Sequence, residues 1–194
     1  MGEIGVSDRL EVPEIAEGAW VAPGAIIIGR AVLRRGASVW YNCVLRSDME
    51  GATIEIGEDA NIQDGVVVHV DANMPCFVGA RVTVGHGAIL HACTIEDEVM
   101  IAMGATVLTG ARVGRGSIVA AGAVVPEGMQ IPAGVVVAGV PAKIRRETTD
   151  DDRARLDHAW KAYAALRDLH KSGKSGTQYK FPIFLQGSRP ADEE

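Results

Sequence analysis

From Val21 onward the chain repeats every six residues, and a period that short leaves few folds open. VAPGAI, IIGRAV, LRRGAS, VWYNCV and LRSDME come first, the second of them opening on Ile27. After an irregular stretch, hexapeptides start again at Ile56, Ile62 and Val68, and then at Val78, Val84 and Leu90. From Ile95 to Ala142 the repeat continues to its end. The first position is Ile, Val or Leu, the fifth is usually small, and the second or fourth is often Gly. Repetition at this period is a β-helix signature. The first residue of each unit points inward from a short strand, and glycine gives the corners their backbone freedom. Three units make a coil of about 18 residues, stacked on the next at roughly 4.8 Å. Each coil buries its core only against its neighbours. Aromatic residues make up 5% of the chain, so the core is expected to be built from small and β-branched side chains.

The chain has 194 residues, enough for one domain with an appendage. The repeat closes at Lys143-Ile-Arg-Arg, which divides a solenoid at 1–146 from a helix and tail at 147–194. Thr148-Thr-Asp-Asp-Asp is a helix start, with capping residues followed by acids in the first turn. Leu156, Trp160, Tyr163, Leu166 and His170 then recur at helical spacing to about Lys171. In the tail, the apolar segment at 179–185 is expected to dock on the solenoid or on a neighbouring subunit. A net charge of −6 gives no basic field for nucleic acid or an anionic membrane. The acidic N-terminus does not read as a signal peptide, and no apolar run approaches the roughly 18 residues of a membrane span. Three cysteines without CxxC spacing suit a reduced, cytoplasmic chain. Cys43 and Cys93 fall at small core positions, whereas Cys76 lies in an interruption at 71–77 and is the candidate for exposure.

Histidine has no place in such a repeat, yet His69, His86 and His91 fall within 23 residues. Imidazole is the commonest side-chain metal ligand, and three His with one open position make a catalytic zinc site. His69 follows Val68 and His91 follows Leu90, so the two are expected to stack on adjacent coils. His86 is the third residue of the Val84 unit, on the previous face. A run of five residues from His86 to His91 spans at most about 16 Å, and imidazoles on different faces diverge. One subunit is therefore expected to hold the stacked pair while a neighbour donates His86 around a closed ring. Counting hexapeptides puts Leu45 with Ile62 and Val84, so Arg46 and Gln63 fall on the face of His86, with Asp48 and Asp64 nearby. Arg46 can also form a plain ion pair with Asp48 or Asp64. His158 and His170, on the helix, are expected to face solvent or end the helix.

The segments LRSD (45–48), NIQDGVVVH (61–69), VGHGAILH (84–91) and AGVPAKIRR (138–146) resemble the gamma-class carbonic anhydrases over about residues 20–170. The resemblance implies an all-β solenoid, a left-handed parallel β-helix with a C-terminal α-helix. It also implies a homotrimer binding Zn2+, or Fe2+ or Co2+, through His69 and His91 of one subunit and His86 of the next. Arg46, Asp48, Asn61 and Asp64 would lie at the interface, with Gln63 beside the metal-bound water. The implied activity is reversible CO2 hydration to bicarbonate by a metal-bound hydroxide, with the bound water's pKa lowered to about 7. Tyr163 aligns with a family tyrosine that leans into the site. The best-studied members carry an acidic loop after the first ligand and a Glu after the Arg-x-Asp motif. Here Met49 follows Asp48, Glu50 comes next, and the loop VDANMPC offers only Asp71. This branch also resembles proteins linked to acyl-CoA thioesterase activity. A metal-dependent thioesterase, a scaffold with a vestigial site and a hexapeptide acyltransferase therefore stand as alternatives.

Overall fold

A computed structural model describes residues 10–174. The N-terminal nine residues and the tail with its 179–185 segment lie outside the described residues. The chain winds into a parallel β-solenoid whose three faces are three sheets. One face runs in seven strands from Glu14–Ile15 to Gln130–Ile131. The second runs from Trp20–Val21 to Val135–Ala138 and ends on Lys143–Glu147, its one antiparallel strand. The third has six strands, from Ile26–Gly29 to Val124–Val125.

The hexapeptide explains this geometry position by position. First-position residues such as Leu33, Val39, Leu45, Ile62, Leu90 and Ile101 are fully buried and stack coil upon coil. Fifth-position residues such as Ala37, Cys43, Ala60 and Ala105 are buried too, in space that only a small side chain fits. The burial of Cys43 pushes its thiol up to about 11, which keeps it an unreactive small hydrophobe. Cys76 does not meet the exposure expected of it. It is fully buried, its Sγ 3.9 Å from that of Cys93 in the next coil. The interruption at 71–77 loops out before Cys76 rejoins the core as the first residue of the strand Cys76–Val78.

Two insertions set the register of the faces. Val21 pairs with Val39 at the regular spacing of 18, but Val39 pairs with Ile62 at 23. Five residues are thus looped out after Val44–Ser47, and Leu45 pairs with Val68 rather than sharing a face with Ile62 and Val84. The second insertion sets Ile62 and Val84 at a spacing of 22, as the sequence implies.

One corner carries a column of charge in which Glu98 bridges Arg115 and Arg81. These guanidiniums outweigh partial burial and hold the Glu98 carboxyl down at about 2, against an ordinary 4.5. A depressed carboxylate stabilises the fold above its unfolded pKa and loses that contribution as pH falls toward the folded value. Glu98→Gln is expected to cost under about 1 kcal/mol near neutrality, because the cluster is partly solvated. The difference from wild type should close between pH 4.5 and about 2 in acid-unfolding curves.

The helix α1 (Asp150–Lys171) begins at Thr149, which makes a capping box with Asp152. Asp150, Asp151 and Asp152 suit the positive end of its dipole, and His170 and Lys171 the negative end. It packs on the second face, with Leu156 buried and Arg167 reaching the Gly36 carbonyl and Asp59. His158 is exposed, as expected. His170 is half-buried among Trp20, Trp40 and Tyr41, and its Nδ1 lies 2.8 Å from the Tyr41 hydroxyl. His170 thus ends the helix, as expected, with one side of its ring against an aromatic pocket on the solenoid. Among the described residues no helix is long and apolar enough to cross a membrane.

Candidate metal centre

The third face places Arg46, His69 and His91 on successive coils, in register. All three are second residues of their hexapeptides. The strand alternation that turns Leu45, Val68 and Leu90 inward turns these side chains outward. His69 and His91 stack as the sequence predicts, with ring centroids 5.1 Å apart and Nδ1 of His69 3.1 Å from Nε2 of His91. The outer nitrogens are also engaged. His69 Nε2–H donates to Asp48 Oδ1 at 3.0 Å, and His91 Nδ1 lies 2.9 Å from the Thr109 hydroxyl. Thr109 in turn donates to Asp71 Oδ2 at 2.9 Å.

Arg46 and Asp48 belong to this edge and not to the face of His86. The five-residue insertion moves them, because looped-out residues take no place on a face. Of the two ion pairs open to Arg46, it makes the one with Asp48. Partial burial opposes the Asp48 charge, but the hydrogen bonds from Arg46 and His69 prevail and hold its carboxyl below the usual range.

His86 lies on the second face, at the corner after Thr83–Val84, where Gly87 adopts a φ of 66°. Asp64 holds the same third position one coil earlier, so the two stack, with His86 Nδ1 2.9 Å from Asp64 Oδ2. A proton on Nδ1, donated to Asp64, leaves Nε2 as the bare nitrogen. Tyr163 approaches that nitrogen at 3.3 Å from α1, its ring edge-on to Trp40. Burial, with a smaller contribution from Asp64, raises the Tyr163 pKa, so the phenol keeps its proton and can donate. Gln63 is nearly buried, and its amide donates to Asn61, which donates to Thr83. That chain fixes the Gln63 carboxamide on the His86 face. Asn61 thus holds Gln63.

The donor set suits a borderline divalent ion such as zinc, iron or cobalt. Carboxylates stand behind His69 and His86, directly hydrogen-bonded, and behind His91 through Thr109, as outer partners of ligating imidazoles commonly do. Two imidazoles on one tetrahedral zinc stand about 3.3 Å apart nitrogen to nitrogen, given Zn–N bonds of about 2.05 Å, close to the 3.1 Å here. Within one chain, however, no three His, Cys, Asp or Glu side chains among the described residues converge to hold an ion.

Sequence reasoning named Asp71 only as the single acid of its loop and missed Thr109. The available signal was spacing. Leu90 pairs with Val107 at 17 residues instead of 18, so the coil below His91 is one residue short and carries a polar residue two positions after Val107.

The bacterial transferase hexapeptide family (six repeats) matches residues 92–127. Gamma carbonic anhydrase 2, mitochondrial, of Arabidopsis thaliana is 40% identical over 169 residues, covering 84% of this chain. The chain spans 60% of the length of that plant relative. A Methanocaldococcus jannaschii protein named "Probable carbonic anhydrase" is 44% identical over 160 residues, covering 82% of this chain and 99% of its own. Among solved structures, a hexapeptide transferase family protein from Anaplasma phagocytophilum superposes with a TM-score of 0.77 at 38% identity, covering 80% of this chain and 91% of that one. With its stacked histidine pair on a hexapeptide solenoid, and with relatives of this identity along most of its length, the chain belongs to the gamma-class carbonic anhydrase family.

Proposed function

We propose that the protein is a metal-dependent enzyme for the reversible hydration of CO2, working at sites shared between the copies of a homotrimer. The observation that carries this reading is the division of the histidines: a converging pair on the third face and a carboxylate-backed loner on the second. His69 Nδ1 and His91 Nε2 of one copy would hold a zinc, iron or cobalt ion with His86 Nε2 of the next. When bound, the ion would bring the pKa of a water on it to about 7, which supplies a nucleophile at neutral pH.

The surroundings of the pair support an interface. Outward from the third face point Ile26, Val44, Val67 and Ile89, paired coil to coil in one ladder. Ile26, Val67 and Ile89 are exposed in the single chain. Val67 and Ile89 each precede a ligand by two residues and so share its side of the strand. Covering this ladder with a second copy buries apolar surface and excludes water beside the histidines.

The remaining residues have defined work. Asp48 and Asp64 orient His69 and His86. Gln63, its amide held by Asn61, orients the substrate or the attacking water with its carboxamide oxygen. Tyr163 keeps its proton and stands at the His86 edge, where its hydroxyl would be free to donate to the substrate once the ion takes the Nε2 lone pair. Among the described residues the loop after His69 offers one acid, Asp71, and Thr109 already donates to it. Proton export therefore depends on buffer, and turnover should rise with buffer concentration.

The test combines elemental analysis with stopped-flow CO2 hydration and a panel of acyl-CoA thioesters. The expected result is near one metal per chain and a kcat/KM of about 10⁴ M⁻¹ s⁻¹ or more, lost on chelation. A metal-free trimer without hydration activity would sink the proposal. Group transfer, suggested by the name of the Anaplasma neighbour, would then lead, as acyl transfer if the thioesters were consumed only with an acceptor present.

A further inference from the structure

We infer that Thr109, held by Asp71, is a positioning residue that selects which nitrogen of His91 is bare. The inference rests on the reading of His91 as a metal ligand and deepens it. A threonine hydroxyl has one hydrogen to donate and lone pairs to accept with. Its oxygen is 2.9 Å from Asp71 Oδ2 and 2.9 Å from His91 Nδ1. An ionised carboxylate can only accept, so the hydroxyl hydrogen is committed to Asp71. The bond to His91 must then use the ring's own Nδ1–H. A neutral imidazole carries one N–H, so Nε2 is left with its lone pair, and Nε2 is the atom that faces His69.

The other end of the pair is held in the same way. Asp48 takes the Nε2–H of His69, which leaves Nδ1 bare. Three hydrogen bonds, Asp48 to His69 at one end and Asp71 through Thr109 to His91 at the other, thus turn two lone pairs toward one point. Asp71 is 3.6 Å from His91 Nδ1, too far for a good hydrogen bond of its own. The hydroxyl spans that gap. Asp71 is itself fixed by a backbone bridge to Met74 inside the inserted loop. The interruption of the repeat and the short coil at Thr109 therefore act together: one presents the acid and the other brings the hydroxyl beneath the ring.

Thr109→Val removes the hydroxyl and keeps the shape, and Thr109→Ser restores the hydroxyl. In chelator-treated wild-type protein, ¹⁵N spectra of the imidazoles should show His91 as the Nδ1–H tautomer. In Thr109→Val the Nε2–H form should gain, and Co2+ affinity, read from the visible spectrum of the bound ion, should fall by about 10–100-fold. Thr109→Ser should return both readouts to within about threefold of wild type. A wild-type His91 in the Nε2–H form, or a Thr109→Val protein with wild-type tautomer and Co2+ affinity, overturns the inference while leaving the metal reading intact. Wild-type protein that takes up no Co2+ at all removes the reading on which it rests.

Discussion

The His86→Ala protein should fold and assemble as wild type does and yet lose its metal. His86 stands at an exposed corner, its side chain 45% accessible, and contributes to no core. Truncations at such positions cost under about 1 kcal/mol. Losing one of three ligands should weaken metal affinity by more than about 100-fold, beyond the 10–100-fold expected for an outer partner. CO2 hydration should fall in proportion. The decisive form of the experiment mixes two dead proteins. His86→Ala chains keep the stacked pair, and His91→Ala chains keep His86. If each site is built across a subunit boundary, random co-assembly into trimers restores about one site in four, since each neighbour has an even chance of being the right one. If all three histidines served one chain, mixing would restore nothing. Metal content and hydration rate of protein co-refolded from equal amounts of the two variants should both read close to a quarter of wild type. Zero recovery alongside verified mixed trimers would end the shared-site reading.

Ile26→Asp should remove the metal without touching a ligand. Ile26 opens the apolar ladder of the third face and lies three coils from Ile89, away from His69 and His91. Its side chain is half exposed in the single chain, so the fold tolerates a carboxylate there. Within an apolar contact between copies, an unpaired carboxylate costs roughly 2–5 kcal/mol, and a closed ring repeats that cost at each boundary. Sedimentation should therefore show monomers, circular dichroism an intact solenoid, and elemental analysis little metal, although every histidine remains. Ile89→Asp should do the same more strongly. A monomer that kept its full metal would contradict the proposal as firmly as a failed complementation.

The sequence made the core almost fully legible. From Leu33 onward, wherever the six-residue period runs unbroken, the first residue of each unit is buried, because a two-residue strand can turn only alternate side chains inward; Val21 and Ile27, in the end coil, are only partly covered. It also predicted the stack of His69 on His91 and the separation of His86. The insertion at 71–77 has a length that can be read from the units on either side of it. The same reasoning misplaced Arg46 and Asp48. The stretch after Ser47 holds no recognisable unit, so nothing in the sequence says how many of its residues leave the coil. Cys76 went astray for a related reason, since a core built by residues distant in sequence buries it.

Sequence by itself thus determined the solenoid, its inward residues and the candidate ligands, because each follows from a local period repeated many times. Only the tertiary structure decided how those ligands are held: Asp48 behind His69, Asp64 behind His86, and Asp71 through Thr109 behind His91. These contacts cross between coils at points where the spacing departs from 18. A hydrogen bond depends on fractions of an ångström across that gap, and no periodicity carries such information.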